Sequence, residues 1–131
     1  MPNVNFQLRI EKMTSEELKQ RTKEMSLNIL RLVATVPKTR EGDVIVKQII
    51  RSATSVAANY RAACKARSRA DFINKIGIVE EEADETTLWL DYLLELSLVD
   101  KNRCLQLLQE TKELVAIFAA SAITAKSKRV K

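Results

Sequence analysis

Apolar residues recur at helical spacing in four separate stretches of this chain. Leu18, Met25, Ile29, Leu32 and Val36 form the first stripe, and Pro37 forbids its continuation. Thr14-Ser15-Glu16-Glu17 ahead of it reads as a capping box, with carboxylates where the helix dipole favours them. A second stripe, from about Asp43 to Ala66, carries Ile45, Ile49, Ser52, Val56, Asn59/Tyr60 and Ala63. A third, from about Arg69 to Leu96, follows a Ser68 cap and carries Phe72, Ile76, Val79, Ala83, Thr86, Leu90 and Leu93. The fourth opens at Asp100 and carries Leu105, Leu108, Leu114, Val115, Phe118 and Ala122. Short connections between such helices predict an all-α fold, an antiparallel up-down-up-down four-helix bundle. The expected organisation is a flexible lead-in at residues 1–13, the bundle at 14–125 and a basic tail at 126–131.

Composition supports that reading. A chain of 131 residues with two Gly and two Pro favours long helices in one domain and has little material for tight β turns. The second stripe is thinned by Ser52, Ala53, Ser55, Ala57, Ala58, Ala62, Ala63 and Ala66, which let another backbone approach and mark this face as a candidate interface. No run of about 18 apolar residues is present to span a bilayer, so no membrane is expected. The first 13 residues lack an apolar leader core, and Cys64 and Cys104 read as small buried hydrophobes. The expected location is the cytoplasm.

Charge is partitioned along the chain. Lys47, Arg51, Arg61, Lys65, Arg67, Arg69 and Lys75 are opposed only by Asp71, whereas Glu80, Glu81, Glu82, Asp84, Glu85, Asp91, Glu95 and Asp100 follow without a base among them. The net charge of +5 conceals this polarity. Arg61, Lys65, Arg67, Arg69 and Lys75 cluster about the turn between the second and third helices, where long side chains reach phosphates without entering the core. Six aromatics, most of them suited to the core, argue against base-specific readout. The competing reading is a solvated basic edge, or a partner for the acidic helix of another subunit.

Catalytic chemistry finds little support. The chain has no His, so Ser52, Ser55, Cys64 and Cys104 lack the usual general base, and the bundle di-metal pattern lacks its Glu-x-x-His pair. Glu80, Glu81 and Glu82 point in three directions around a helix, which suits a solvated face better than a metal site. The expectation is a non-enzymatic protein with no cofactor and no metal. Arg51, Ser55 and Asn59 share one side of the second helix, and Glu82, Glu85 and Trp89 share one side of the third. A buried pair of Arg51 with Glu82 or Glu85, with Asn59 satisfied nearby, would fix helix register, and Trp89 would anchor packing.

The chain resembles a family of bacterial four-helix proteins first named for intervening sequences of 23S rRNA genes. The resemblance rests on Gln48-x-x-Arg51-Ser52-Ala53-x-Ser55-x-x-Ala58-Asn59-Tyr60-Arg61-Ala62-Ala63, then Ser68, Phe72-Ile73-x-Lys75, Glu82-Ala83-x-Glu85-Thr86 and Trp89-Leu90. It continues through Glu113-Leu114-x-x-Ile117-Phe118 and Thr124-Ala125-Lys126. It implies a homo-oligomer, with a ring-shaped pentamer as the expected stoichiometry. A similar fold, the accessory variability determinant of diversity-generating retroelements, implies contact with RNA or DNA and with a reverse transcriptase or other protein. The function expected is an oligomeric accessory scaffold, and the alternative is a protein–protein interaction module without nucleic acid.

Overall fold

The computed structural model describes residues 13–127, so residues 1–12 of the lead-in and 128–131 of the tail lie outside the described residues. Among the described residues four helices follow one another: α1 Ser15–Val33, α2 Arg40–Cys64, α3 Arg69–Glu95 and α4 Lys101–Ser127. No strand occurs among the described residues. Each helix packs on the next in an antiparallel circuit, with α3 against both α2 and α4 providing most of the contact and α1 touching α4 sparingly. The fold is the all-α four-helix bundle that the four stripes predict.

The helix ends show why the chain turns where it does. Thr14, Thr39 and Ser68 each adopt extended backbone, and their hydroxyls accept the N–H of Glu17, Gly42 and Asp71. The Asp100 carboxylate accepts the N–H of Arg103 at 2.9 Å and so starts α4. α1 stops at Val33 rather than Val36, because Pro37 disfavours helical backbone at the residue before it. The chain instead tightens through bonds from Thr35 N–H to the Leu32 carbonyl and from Val36 N–H to the Val33 carbonyl. α2 starts at Arg40, three residues earlier than its stripe suggests, because Thr39 caps it there and takes Gly42 into the first turn. α3 ends in a Schellman arrangement: Leu98 N–H reaches the Leu93 carbonyl, Ser97 N–H reaches that of Leu94, and Ser97 takes a positive φ of 54°. α4 carries Lys126 and Ser127 within the helix, where the sequence reading places the start of a tail.

The stripes meet in a core of Met25, Ile29, Leu32, Ile49, Val56, Ile76, Val79, Leu90, Leu93, Leu114, Ile117 and Phe118, all nearly without exposure. The Tyr60 and Phe118 rings pack at 5.6 Å between centroids and join α2 to α4. Leu105 departs from expectation at 40% exposed, because Cys104 takes the core position beside it and points its thiol at the Leu90 carbonyl. Buried hydroxyls are satisfied within the fold. Thr22 and Thr111 donate to carbonyls four residues back, and Thr86 Oγ1 lies 2.9 Å from Ser52 Oγ across the α2–α3 seam.

The two glycines differ in what they make room for. A Cβ on Gly42 would stand 3.0 Å from the Pro37 carbonyl oxygen, whereas nothing lies within 4 Å of one on Gly77, in the interior of α3. Gly77→Ala is therefore expected to stabilise the protein by roughly 0.5–1 kcal/mol, the helix-interior preference for Ala. Gly42→Ala should give no such gain and should lower the unfolding midpoint, because the Cβ must displace backbone. Paired urea titrations check both, and a stabilised Gly42→Ala protein would contradict the tight packing of the α1–α2 turn.

Candidate nucleic-acid interface

Antiparallel packing gathers the start of α1, the α2–α3 turn and the end of α4 at one end of the bundle. Arg61 lies in the last turn of α2, Lys65 and Arg67 in the turn, and Arg69 at the first position of α3; all four are exposed. Lys126, at the end of α4, joins the same end of the molecule. That convergence is invisible to a reading that treats residue 126 as tail. Lys75 stands apart from the four. It is half-buried, and its ammonium donates to both oxygens of Asp71, at 2.9 and 2.7 Å. Asp71 Oδ2 also accepts the Arg67 N–H at 3.2 Å. Its carboxyl is held below the ordinary value, first by the Lys75 hydrogen bond and then by that of the Arg67 backbone.

The polar cluster of α2 and α3 forms a cross-helix clamp. Arg51 Nη1 donates to Glu82 Oε2 at 2.7 Å, and its Nη2 donates to Glu85 Oε2. The two carboxylates, Glu82 first, raise the guanidinium pKa above its ordinary value. Trp89 Nε1 donates to the same Glu85 oxygen at 3.1 Å, and the Trp89 ring meets Tyr92 edge-on at 5.3 Å. The clamp is not the buried pair expected from the sequence. Half of Arg51, 51%, is in water, because the inward position of the seam belongs to its neighbour Ser52 facing Thr86. Asn59 does not reach across either; it donates to the Ser55 carbonyl and hydroxyl on its own helix, at 2.9 and 2.8 Å.

A second clamp closes the bundle and has no counterpart in the sequence reading. Arg21 on α1 donates to Glu110 through Nε at 3.0 Å and Nη2 at 2.6 Å, and to Glu113 at 3.2 Å. The Glu110 hydrogen bond is the main cause of its raised pKa, partly opposed by burial. Its partners lie 89 and 92 residues away, so only the i, i+3 spacing of the two glutamates offers a local signal. Beside the clamp, α1 and α4 part at a groove of about 410 Å³ that includes Met25, Arg103 and Leu107.

Neither cysteine is paired with the other in a disulfide, and Cys104 is fully buried. Burial, with a smaller effect of Asp91, pushes its thiol above the ordinary value. Among the described residues no group of three or more Cys, Asp or Glu side chains is placed to hold a metal ion. No helix among them is long and apolar enough to cross a membrane.

These features define a class: an all-α bundle with a basic end and charged clamps across two of its helix seams. The chain belongs to the 23S rRNA-intervening sequence protein family, which it matches over residues 14–120. It is also similar to a protein of unknown function from the S23 ribosomal protein family of Bacteroides thetaiotaomicron VPI-5482, known from a crystal structure at 1.70 Å resolution. The two are 32% identical, with a TM-score of 0.76, over 84% of this chain and 98% of the other. No curated protein matches this chain.

Exposure decides which clamp carries more stability. With Arg51 half in water, Arg51→Ala is expected to cost less than about 1 kcal/mol and to change the fluorescence of Trp89 through Glu85. Arg21 is 24% exposed and makes two charge-assisted bonds to Glu110, so Arg21→Ala should cost more, about 1–2 kcal/mol, in the same denaturant titration. Cys104 sets an alkaline limit. Its raised folded-state pKa contributes stability that is present below the ordinary 9.0 and is lost as pH rises from there toward the folded value. Unfolding midpoints should therefore fall above pH 9, and less steeply in Cys104→Ala.

Proposed function

We propose that this protein is a non-enzymatic, oligomeric accessory scaffold that contacts the nucleic-acid backbone through the basic end of its bundle. The observation that carries the reading is the gathering of exposed Arg61, Lys65, Arg67 and Arg69 about one turn, with Lys126 at the same end. Long cations on a rigid turn suit phosphates at separate points along a strand, and each phosphate neutralised releases counterions. The contact is accordingly with the backbone, of RNA or DNA, and independent of sequence.

Assembly is the other half of the reading. Val44 lies two turns from Arg51 on one side of α2, and Ile78, Tyr92 and Leu96 lie on the side of α3 that carries Glu85. These four are 56%, 40%, 45% and 55% exposed, and helical spacing puts them on the faces that carry Arg51 and Glu85. An apolar strip of this kind supports self-association, with a pentameric ring as the stoichiometry that the family resemblance implies. A reverse transcriptase is the protein partner that the same resemblance suggests, and two cysteines read as reduced thiols suit the cytoplasm as the location.

A salt titration tests the nucleic-acid half. Labelled single-stranded, duplex and hybrid oligonucleotides should bind wild type at low salt and lose affinity steeply as salt rises. The expected slope is about −0.7 to −0.9 per phosphate contact in log–log form. Changing Arg61, Lys65, Arg67 and Arg69 to Glu should abolish binding while light scattering shows the assembly intact, at about five times the 14.9 kDa subunit mass. Absence of binding at low salt would favour the protein–protein interaction module instead, and a monomeric mass would remove the scaffold.

A further inference from the structure

Asp71 is the one acid between Lys47 and Lys75, and it sits inside the basic end rather than beside it. Its place in the fold is fixed from two directions. Its backbone N–H donates to the Ser68 hydroxyl at 3.1 Å, the bond that caps α3. Its carboxylate turns back to accept the Arg67 N–H, one residue before the cap, and forward to take the Lys75 ammonium one turn up the helix. A helix start normally uses an acid at this position to satisfy its own cap. Here the same acid also consumes a lysine.

We propose that Asp71 is the positioning residue of the basic end, holding Lys75 out of the set of cations that meets phosphate and fixing the turn that presents Lys65, Arg67 and Arg69. This inference rests on the nucleic-acid reading above and makes it more specific. The side chains about the turn keep their exposure to solvent, while the Lys75 charge is neutralised in place. Asp71 thereby sets how many phosphates the turn engages, and its carboxylate keeps the polyanion off the α3 side of the turn, where Lys75 lies.

The test is a mutant cycle read by fluorescence anisotropy on one labelled single-stranded oligonucleotide across a salt series. Asp71→Asn retains an oxygen for the Arg67 N–H and releases Lys75. It should tighten binding and steepen the log–log salt slope by about 0.7, one additional single-strand phosphate contact. Glu95→Gln, in the last turn of α3, removes the same charge from the other end of the helix and should leave the slope unchanged. Lys75→Ala should leave the wild-type slope unchanged, and should return the Asp71→Asn slope to the wild-type value. The inference is overturned if Asp71→Asn and Glu95→Gln behave alike, or if Lys75→Ala flattens the wild-type slope. Amine labelling followed by mass spectrometry gives a readout without nucleic acid. Lys75 should label more slowly than Lys65 in wild type and at a comparable rate in Asp71→Asn, and equal rates in wild type would overturn the hold on Lys75. If the oligonucleotide fails to bind wild type while Lys75 is protected, the proposed function falls and the Asp71–Lys75 hold stands.

Discussion

The close antiparallel approach of α2 and α3 is the constraint on which the rest of the molecule depends. Small residues make it available: Ala53 and Ser52 on one side and Ala83 and Thr86 on the other are fully buried, and a hydroxyl pair takes the place of larger apolar contacts in the seam. Once the two backbones are this close, the register of one fixes the other. Arg51 comes opposite Glu82 and Glu85, the four-residue turn after Cys64 becomes a tight reversal, and every base from Arg61 to Arg69 is carried to one end of the bundle. The charge partition of the sequence thus becomes a partition in space.

The remaining seams are graded in strength. α4 packs along α3 over most of its length, and α1 is held on one side by α2. Its other side meets α4 with a groove and the Arg21 clamp. A bundle closed by a partly exposed ion pair opens there before it opens elsewhere, since such pairs weaken in salt while buried apolar contacts do not. The ends of the bundle differ in the same graded way: Gly42 is pressed under the α1–α2 loop, while Gly77 faces open space on α3.

Much of this fold was legible in the sequence because each helix carries its own evidence: a cap, an apolar stripe and a stop. Thr14, Ser68 and Asp100 are caps in the chain and caps in the structure. The errors lie where two local rules compete. Pro37 acts on the residues before it, so α1 ends earlier than its stripe, and Cys104, not Leu105, holds the core because a stripe alone leaves the helix phase ambiguous by one residue. The candidate site was legible in part. The basic residues of the turn are adjacent in the chain and could be grouped without coordinates. The pairing of Lys75 with Asp71 is equally local, at i, i+4, yet a count of charges along the segment does not reveal it. Arg21 and its glutamates were not legible, since nothing in the chain says which of several carboxylates faces a helix about 90 residues away.

One property of α3 reaches beyond its packing. Most helices place acids at the start and bases at the end, where side-chain charge offsets the peptide dipole. α3 does largely the reverse, with Arg67 and Arg69 about its first residue, Asp91 and Glu95 near its last and no base in its final turn. The side-chain and peptide contributions therefore add along a 27-residue rod, with Asp71 as the counterweight at its positive end. Taken alone, α3 has the charge layout of a compass needle, positive at its start and negative at its end. The torque that any distant anion exerts on this helix turns its start, beside the α2–α3 turn, toward the anion before a side chain touches it.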